Sequence, residues 1–200
     1  MIKRSILIAA MIVAIGLVLT IFDTALIRAF HVLVPSIPVL DTLAELAKKS
    51  LDLITVAIFI LLYIALIRVD RLKRFYILAG TMLAQGIVVS VMKDFFSKMR
   101  PADAGGLVVF TGPAMHDAYN SFPGGHAAAA FALAAVLATW HPRFKVPLYI
   151  FAVLVCLSRI YLDRHFFSDC FIGGALGYYI ACATQSLLSR GDTVPFESRM

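Results

Sequence analysis

Long uncharged apolar runs constrain this chain most, because several of them approach the length needed to cross a lipid bilayer. Neither the run 5–22 nor the run 170–189 contains a charged residue. Over the 200 residues, 61% belong to the hydrophobic set and 15% are charged, whereas a soluble domain carries about 25% charged residues. This composition excludes a disordered chain, a coiled coil and a secreted disulfide scaffold, and it predicts a polytopic membrane protein.

Six apolar runs are long enough to be considered as spans, and a helix is expected for each because backbone exposed to lipid must satisfy its own hydrogen bonds. The expected spans are 5–22, 53–68, 75–92, 125–140, 146–162 and 170–189. A signal peptide is the competing interpretation of the first run, but its long apolar core and the lack of an A-x-A cleavage site before Asp23 favour an uncleaved span. The predicted fold class is therefore all-α, a bundle of six transmembrane helices forming one domain over residues 1–200.

The distribution of charged residues predicts how the bundle is oriented, since loops rich in Lys and Arg face the cytoplasm. With the N-terminus inside, ten basic residues lie on the inner side: Lys3, Arg4, Arg68, Arg71, Lys73, Arg74, Arg143, Lys145, Arg190 and Arg199. Eight basic residues and nine of the twelve acids lie outside. Both termini are therefore expected to be cytoplasmic in an inner (plasma) membrane, and the net charge of +6 needs no nucleic-acid partner.

Two long segments are expected on the outer side. The segment 23–50 has apolar residues at helical spacing and is divided by Pro35 and Pro38, which predicts two short amphipathic helices on the outer membrane surface. A packed cap over the bundle is the other interpretation, and it is compatible with the first. The segment 99–123 is rich in Gly, Pro and Asp and is predicted to be a loop. The three cysteines are odd in number and lack C-x-x-C spacing, so they are expected to pack in the bundle.

Polar and ionisable residues concentrate in three blocks. The blocks run from Lys93 to Pro101, from Ser121 to His126, and from Ser158 to Asp169. In the predicted topology they lie at the outer end of span three, the outer start of span four, and the turn between spans five and six. All three blocks are therefore expected on one side of the membrane. The charge count that predicts this topology makes no use of the blocks, so their agreement is independent support.

The charged side chains of these blocks suit a phosphate ligand. Lys93, Arg100 and Arg159 would bring three cations to one face, and such groups in a partly dry site bind an anion with several oxygens. A metal site is the rival use of His126, His165 and Asp169. Three nearby cations would repel a divalent ion and no second carboxylate is in register, so no metal is expected.

Two local patterns are each ambiguous alone. His165 and Asp169 are four residues apart and would share a helical face, where the carboxylate could orient the ring as a nucleophile or base, or merely form a surface hydrogen bond. Gly124 and Gly125 precede His126 at the start of span four, where bare backbone N–H groups could bind an anion. An ordinary loop-to-helix transition explains the glycines equally well.

Together, the three blocks resemble the type 2 phosphatidic acid phosphatase family, which shares its core with the vanadium haloperoxidases. The family pattern is K-x6-R-P, then P-S-G-H, then S-R-x5-H-x3-D. The matching residues are Lys93, Arg100, Pro101, Pro123, Gly125, His126, Ser158, Arg159, His165 and Asp169. One position departs from the pattern, because Gly124 stands where the family has a serine. The lost hydroxyl hydrogen bond could cost about 1–3 kcal/mol of anion binding.

The resemblance implies a two-step reaction without metal or other cofactor. His165 would attack phosphorus and form a phosphohistidine, with Asp169 orienting the ring. His126 would protonate the leaving group and then activate water. The phosphate oxygens would be held by Lys93, Arg100, Arg159 and the amides of Gly124 and Gly125.

The resemblance leaves the substrate and the acceptor open. A lipid phosphate in the bilayer is the expected partner: an isoprenoid diphosphate, phosphatidylglycerol phosphate, phosphatidic acid or a lipid A phosphate. A lipid phosphotransferase, or a lipid-phosphate binding or transport protein without catalysis, remains an alternative. His116 matches no motif position and is expected to be a loop residue. The oligomeric state stays open.

Overall fold

The computed structural model describes residues 2–67, 70–113 and 120–189. Seven α-helices form this part of the chain: α1 Ile2–Leu33, α2 Pro38–Lys49, α3 Leu53–Leu66, α4 Arg71–Phe96, α5 Gly125–Trp140, α6 Lys145–Tyr161 and α7 Phe167–Ser189. One isolated antiparallel bridge joins Lys98 to Phe110. The predicted all-α class is confirmed.

The structure confirms a multi-pass membrane protein. Four helical stretches are long and apolar enough to cross a bilayer: Ile6–Leu33, Arg71–Phe96, Pro142–Tyr161 and Phe167–Leu188. Helices α3 and α5 are apolar but shorter, with 14 and 16 residues. The expectation that both also span the membrane, which would give six crossings, stays a prediction.

The prediction of two short amphipathic helices within 23–50 is wrong for the first of them. Helix α1 continues through Asp23 to Leu33 without a break. Asp23 does not end the apolar helix because its side chain is fully buried and paired with Lys98. The second short helix is present as α2, which begins at Pro38, where a proline without an N–H is tolerated.

Helix α5 is the centre of the bundle and contacts α4, α6 and α7. Its buried surface is made largely of alanine, which allows helices to approach closely in a membrane protein. Helix α7 meets it with Gly173 and Gly177. A Cβ atom on Gly173 would lie 2.4 Å from the carbonyl oxygen of Gly124, so the start of α5 and the first turns of α7 are held in direct backbone contact.

The three polar blocks lie at one end of this bundle, at the termini of α4, α5, α6 and α7. The opposite end carries a different cluster. Arg74 donates a hydrogen bond of 3.1 Å to the Tyr63 hydroxyl and lies 5.1 Å from the centre of the Trp140 ring. The Tyr63 hydroxyl also pairs with His141 at 2.8 Å. An amphipathic aromatic cluster with a cation is typical of a membrane–water interface.

Candidate active site

Four helix ends and one turn bring the predicted catalytic side chains together. Lys93 lies in the last turn of α4, His126 in the first turn of α5, and Arg159 in the last turn of α6. His165 lies in the turn between α6 and α7, and Asp169 in the first turn of α7. Lys93, Arg159 and Asp169 are all near enough to influence the protonation of His165. Residues that are up to 76 positions apart (169 − 93) therefore form one site.

Several nitrogen atoms of this site are buried without a hydrogen-bond partner among the residues that the structure describes. They are Nε of Arg100, Nε and Nη1 of Arg159, Nε2 of His126 and Nδ1 of His165. A buried donor without an acceptor costs about 1–3 kcal/mol, more when it is charged, so folded proteins rarely keep one without a purpose. His165 Nδ1 faces the Asp169 carboxylate and His126 Nε2 faces Asp52, so the nitrogens of Arg100 and Arg159 are the ones left to receive a multivalent oxygen anion such as phosphate.

His165 is 4% exposed and lies next to Asp169. Burial lowers the pKa of His165, and the positive charges of Lys93 and Arg159 act in the same direction against the opposing effect of the Asp169 carboxylate. The ring is therefore neutral at pH 7, the state that a nitrogen nucleophile requires. With Nδ1 turned toward Asp169, Nε2 is the nitrogen directed away from the carboxylate.

The predicted helical pairing of His165 and Asp169 is wrong in its geometry. Helix α7 begins at Phe167, so His165 precedes the helix and does not share a face of it with Asp169. The two side chains nevertheless meet across the turn, with His165 Nδ1 at 3.8 Å from Asp169 Oδ2. That separation exceeds a hydrogen bond and is an electrostatic contact.

The Asp169 carboxylate is held by donors that the sequence pattern did not reveal. Lys98 Nζ donates to Oδ1 at 2.7 Å. The Ser121 hydroxyl donates to Oδ2 at 2.5 Å, and the backbone N–H of Phe166 donates to the same oxygen at 2.8 Å. Ser121 lies in the second block, but no spacing rule relates Lys98 to Asp169. These contacts fix the direction in which the carboxylate faces His165.

Gly124 and Gly125 differ in what their backbone can offer an anion. The Gly124 N–H donates to the carbonyl oxygen of Asp169 at 2.9 Å, which corrects the expectation that this amide is free to bind phosphate. Gly125 begins α5, and its Cβ position would lie 3.8 Å from Lys93 Nζ. The Lys93 ammonium therefore lies beside the first turn of α5, where backbone N–H groups have no carbonyl partner within the helix.

His126 has a carboxylate neighbour that the sequence did not suggest. Asp52, just before α3, places Oδ1 at 3.7 Å from His126 Nε2 and is about half exposed. Burial and the charges of Arg159 and His165 favour the neutral ring, and the Asp52 carboxylate only partly opposes them. A bound phosphate would add negative charge beside the ring and favour the protonated form that a proton donor to a leaving group requires. His116, the histidine without a motif, lies outside the described residues.

The match to a known family extends beyond the motifs. The family model of the PAP2 superfamily matches residues 74–190, which is more than half of the chain. This chain belongs to the PAP2 superfamily. The resemblance inferred from the three blocks is thereby confirmed, and the chain is a member of a family of membrane lipid phosphatases.

Individual relatives agree with this membership. Lipid A 1-phosphatases of Rhizobium etli and Rhizobium johnstonii are 28% and 27% identical to the chain over 112 residues, or 55% of its length. The chain spans about half the length of these curated relatives, 48% and 46%. The crystal structure of a PAP2-type phosphatidylglycerolphosphate phosphatase from Bacillus subtilis superposes with a TM-score of 0.60 and 17% identity. The superposed region covers 92% of this chain and 98% of the Bacillus subtilis chain, which shows that the two proteins share a fold.

Two nitrogens of Arg159, Nε and Nη1, have no partner in the described part of the chain and lead to a first prediction. Arg159→Lys keeps the charge but removes the planar fork that binds two phosphate oxygens at once. We expect binding of inorganic phosphate to purified protein, measured by calorimetry, to weaken about tenfold or more. Arg164→Lys is the matched control, because Arg164 is exposed. Equal losses in the two variants would contradict the assignment of Arg159.

Proposed function

We propose that this protein is an integral-membrane phosphatase that hydrolyses a phosphate monoester or diphosphate of a lipid. The observation that carries the proposal is the group of buried Arg100 and Arg159 nitrogens that have no partner among the described residues. They are gathered with Lys93 beside the two histidines. A site of this kind binds and polarises a phosphoryl group, and phosphoryl transfer depends mainly on positioning and electrostatic stabilisation.

The proposed reaction has two steps, both on phosphorus. His165 Nε2 donates its lone pair to phosphorus, the bond from phosphorus to the lipid oxygen breaks, and that oxygen takes a proton from His126. Water then loses a proton to His126 and attacks the phosphohistidine, which breaks the P–N bond and releases inorganic phosphate. Lys93, Arg100 and Arg159 neutralise the non-bridging oxygens in both steps. The side chains in contact with phosphate are cationic, so the proposal requires no metal.

An apolar groove beside the site supports a lipid substrate. A cavity of about 530 Å³ is lined by apolar residues of α1, α5, α6 and α7, and its wall includes Ile160 and Phe167. Ile160 follows Arg159, and Phe167 lies two residues after His165. A lipid tail in this groove would bring its phosphate to the cationic end. The relatives' names suggest lipid A 1-phosphate and phosphatidylglycerol phosphate as the first lipids to test.

We also propose that the site lies on the outer face of an inner (plasma) membrane, with both termini in the cytoplasm. The bundle end opposite the site carries Arg71, Arg74, Arg143 and Lys145 at the termini of α4 and α6. Positively charged helix ends remain on the cytoplasmic side during insertion, which supports this orientation.

A phosphate-release screen with the purified protein tests the proposed function. Four lipids are offered in detergent micelles with a chelator present: lipid A 1-phosphate, phosphatidylglycerol phosphate, phosphatidic acid and an isoprenoid diphosphate. We expect saturable release of inorganic phosphate from at least one of them. Recovery of labelled phosphate in a second lipid would indicate the phosphotransferase instead. Phosphate binding without turnover on every lipid would contradict the enzyme assignment.

A further inference from the structure

Lys98 is fully buried, although a lysine ammonium is rarely removed from water. Its Nζ donates to three acceptors: Asp169 Oδ1 at 2.7 Å, Asp23 Oδ2 at 2.9 Å and Ser168 Oγ at 3.0 Å. The Phe166 ring lies 4.3 Å away. An ammonium has three hydrogens, so every one is used. Full satisfaction is the condition under which a buried charge can be tolerated.

Asp23 completes this network from α1, the helix most distant from the site in sequence. Its side chain is also fully buried. Its Oδ1 accepts the backbone N–H of Ser168 at 3.0 Å, and its Oδ2 accepts the Ser168 hydroxyl as well as Lys98. Neither Asp23 nor Lys98 occupies a position of the family pattern. All three ammonium hydrogens of Lys98 are used within the protein, so binding of phosphate does not explain why this pair lies next to Asp169.

The network carries a net charge. Two carboxylates, Asp23 and Asp169, surround one ammonium, Lys98, so the group totals −1. Of these three side chains, Asp169 is the one that contacts His165, and its Oδ2 lies 3.8 Å from His165 Nδ1. Each change of charge at Asp23 or Lys98 is transmitted through a buried, poorly screened region to His165.

We propose that Asp23 and Lys98 are positioning residues of the phosphatase site, which lock the Asp169 carboxylate in place and set the charge that His165 experiences. The inference rests on the proposed function, in which His165 is the nucleophile. Neither residue touches the phosphate. The competing role is a purely structural clamp between α1 and α7, and charge-altering variants distinguish the two.

The other charges around His165 belong to several helices and are left unchanged by the test. They are Lys93 on α4, Arg100 after α4, His126 on α5 with Asp52 beside it, Arg159 on α6, Arg164 in the same turn and Asp169 on α7. Because these groups are common to all variants, differences between variants originate in the network of Asp23, Lys98 and Asp169.

Three variants alter the network charge in different directions. Asp23→Asn changes it from −1 to 0, and Lys98→Met changes it to −2. The double variant D23N/K98M restores −1. The pKa of His165 is expected to fall in the first, rise in the second and return close to wild type in the third, with shifts of about half a pH unit or more. Asp103→Asn, the same change at an exposed loop position, is the control and is expected to cause no shift.

The measurement is the pH titration of the His165 ring by ¹H–¹⁵N NMR of the full chain in detergent micelles, with the signal assigned by its loss in His165→Gln. The acid limb of kcat/KM for phosphate release should move with the ring, since only neutral His165 attacks. We also expect kcat to fall about tenfold in D23N with little change in KM, because the carboxylate loses part of its support.

A folded D23N whose ring titrates as in wild type would overturn the inference and leave only the structural clamp. Shifts of the same sign in D23N and K98M would overturn it as well. If K98M fails to fold, D23N and D23N/K98M still decide the question, because the pKa of His165 should fall in the first variant and return close to wild type in the second. Correct NMR shifts together with no phosphate release by wild type from any lipid would refute the proposed function while supporting the network's effect on His165.

Discussion

Replacing His165 by alanine is expected to reduce phosphate release by more than about 10⁴-fold. The variant loses the attacking nitrogen but keeps Lys93, Arg100 and Arg159, so the lipid phosphate still binds. Removal of a nucleophile from a preorganised site leaves only the catalysis that positioning and charge provide. The measurement is kcat for phosphate release from the best lipid of the screen, together with the inhibition constant of inorganic phosphate, which should change little.

His31→Ala is the matched control for this experiment. His31 lies at the end of α1 and pairs at 3.5 Å with Asp163, and both side chains are partly exposed. Its loss should leave kcat within about twofold of wild type. A rapid alkaline quench with labelled lipid should trap phosphate on wild-type protein and none on His165→Ala. Persistent turnover or labelling in His165→Ala would show that another group, with His126 the first candidate, is the nucleophile.

The parts of this structure that the sequence could predict are those governed by local pattern. Helix α5 occupies 125–140 as expected, because Pro123 and Gly124 disfavour a helix that begins earlier and residues 127–138 are all apolar. The gathering of Lys93, Arg159 and Asp169 was predictable for a related reason. Each lies at the end of an apolar run, and the ends of runs on one side of a membrane must meet in a compact bundle.

The parts that could not be predicted depend on pairing across long sequence separations. Asp23 ended the expected first span because a lone carboxylate does not belong in an apolar helix. Its partner Lys98 is 75 residues away in a stretch with loop-like composition, and no periodicity relates them. For the same reason the charge pattern predicts only that Lys98 lies on the outer side, and it does not predict that this side chain is fully buried.

Gly124 shows a second limit of the sequence pattern. The missing family serine suggests only a lost hydroxyl. In the structure the Gly124 N–H is bonded to Asp169, and a Cβ at Gly124 would lie 3.0 Å from that same carbonyl oxygen. Gly173 of α7 packs on Gly124 more closely still, since a Cβ at Gly173 would lie 2.4 Å from the Gly124 carbonyl oxygen. The glycine thus belongs to a backbone contact between two helices, which a residue-by-residue comparison with the motif cannot detect.

The close contact between α5 and α7 makes Gly177→Ala the most damaging small substitution expected in the bundle. A Cβ on Gly177 would lie 2.0 Å from the carbonyl oxygen of Ala128, and neither this oxygen nor the Cα that carries the new methyl group can rotate aside, because both belong to helix backbones. The helices must separate, which costs about 3 kcal/mol or more when no flexible side chain can yield. The measurement is thermal unfolding of the purified protein in detergent, where the midpoint should fall by several degrees.

Gly86→Ala provides the matched control, because Gly86 lies within α4 and its added Cβ would meet nothing within 4 Å. There the same substitution should leave stability unchanged or raise it by up to about 1 kcal/mol, since alanine is the better helix former. Gly177→Ala should also lose activity in its folded fraction. Helix α5 carries His126 and α7 carries Asp169, which orients His165. Separating the helices therefore moves the proton donor away from the nucleophile, and small displacements of reacting groups lower the rate strongly. Equal midpoints for the two variants would show that the α5–α7 contact is looser than the structure describes.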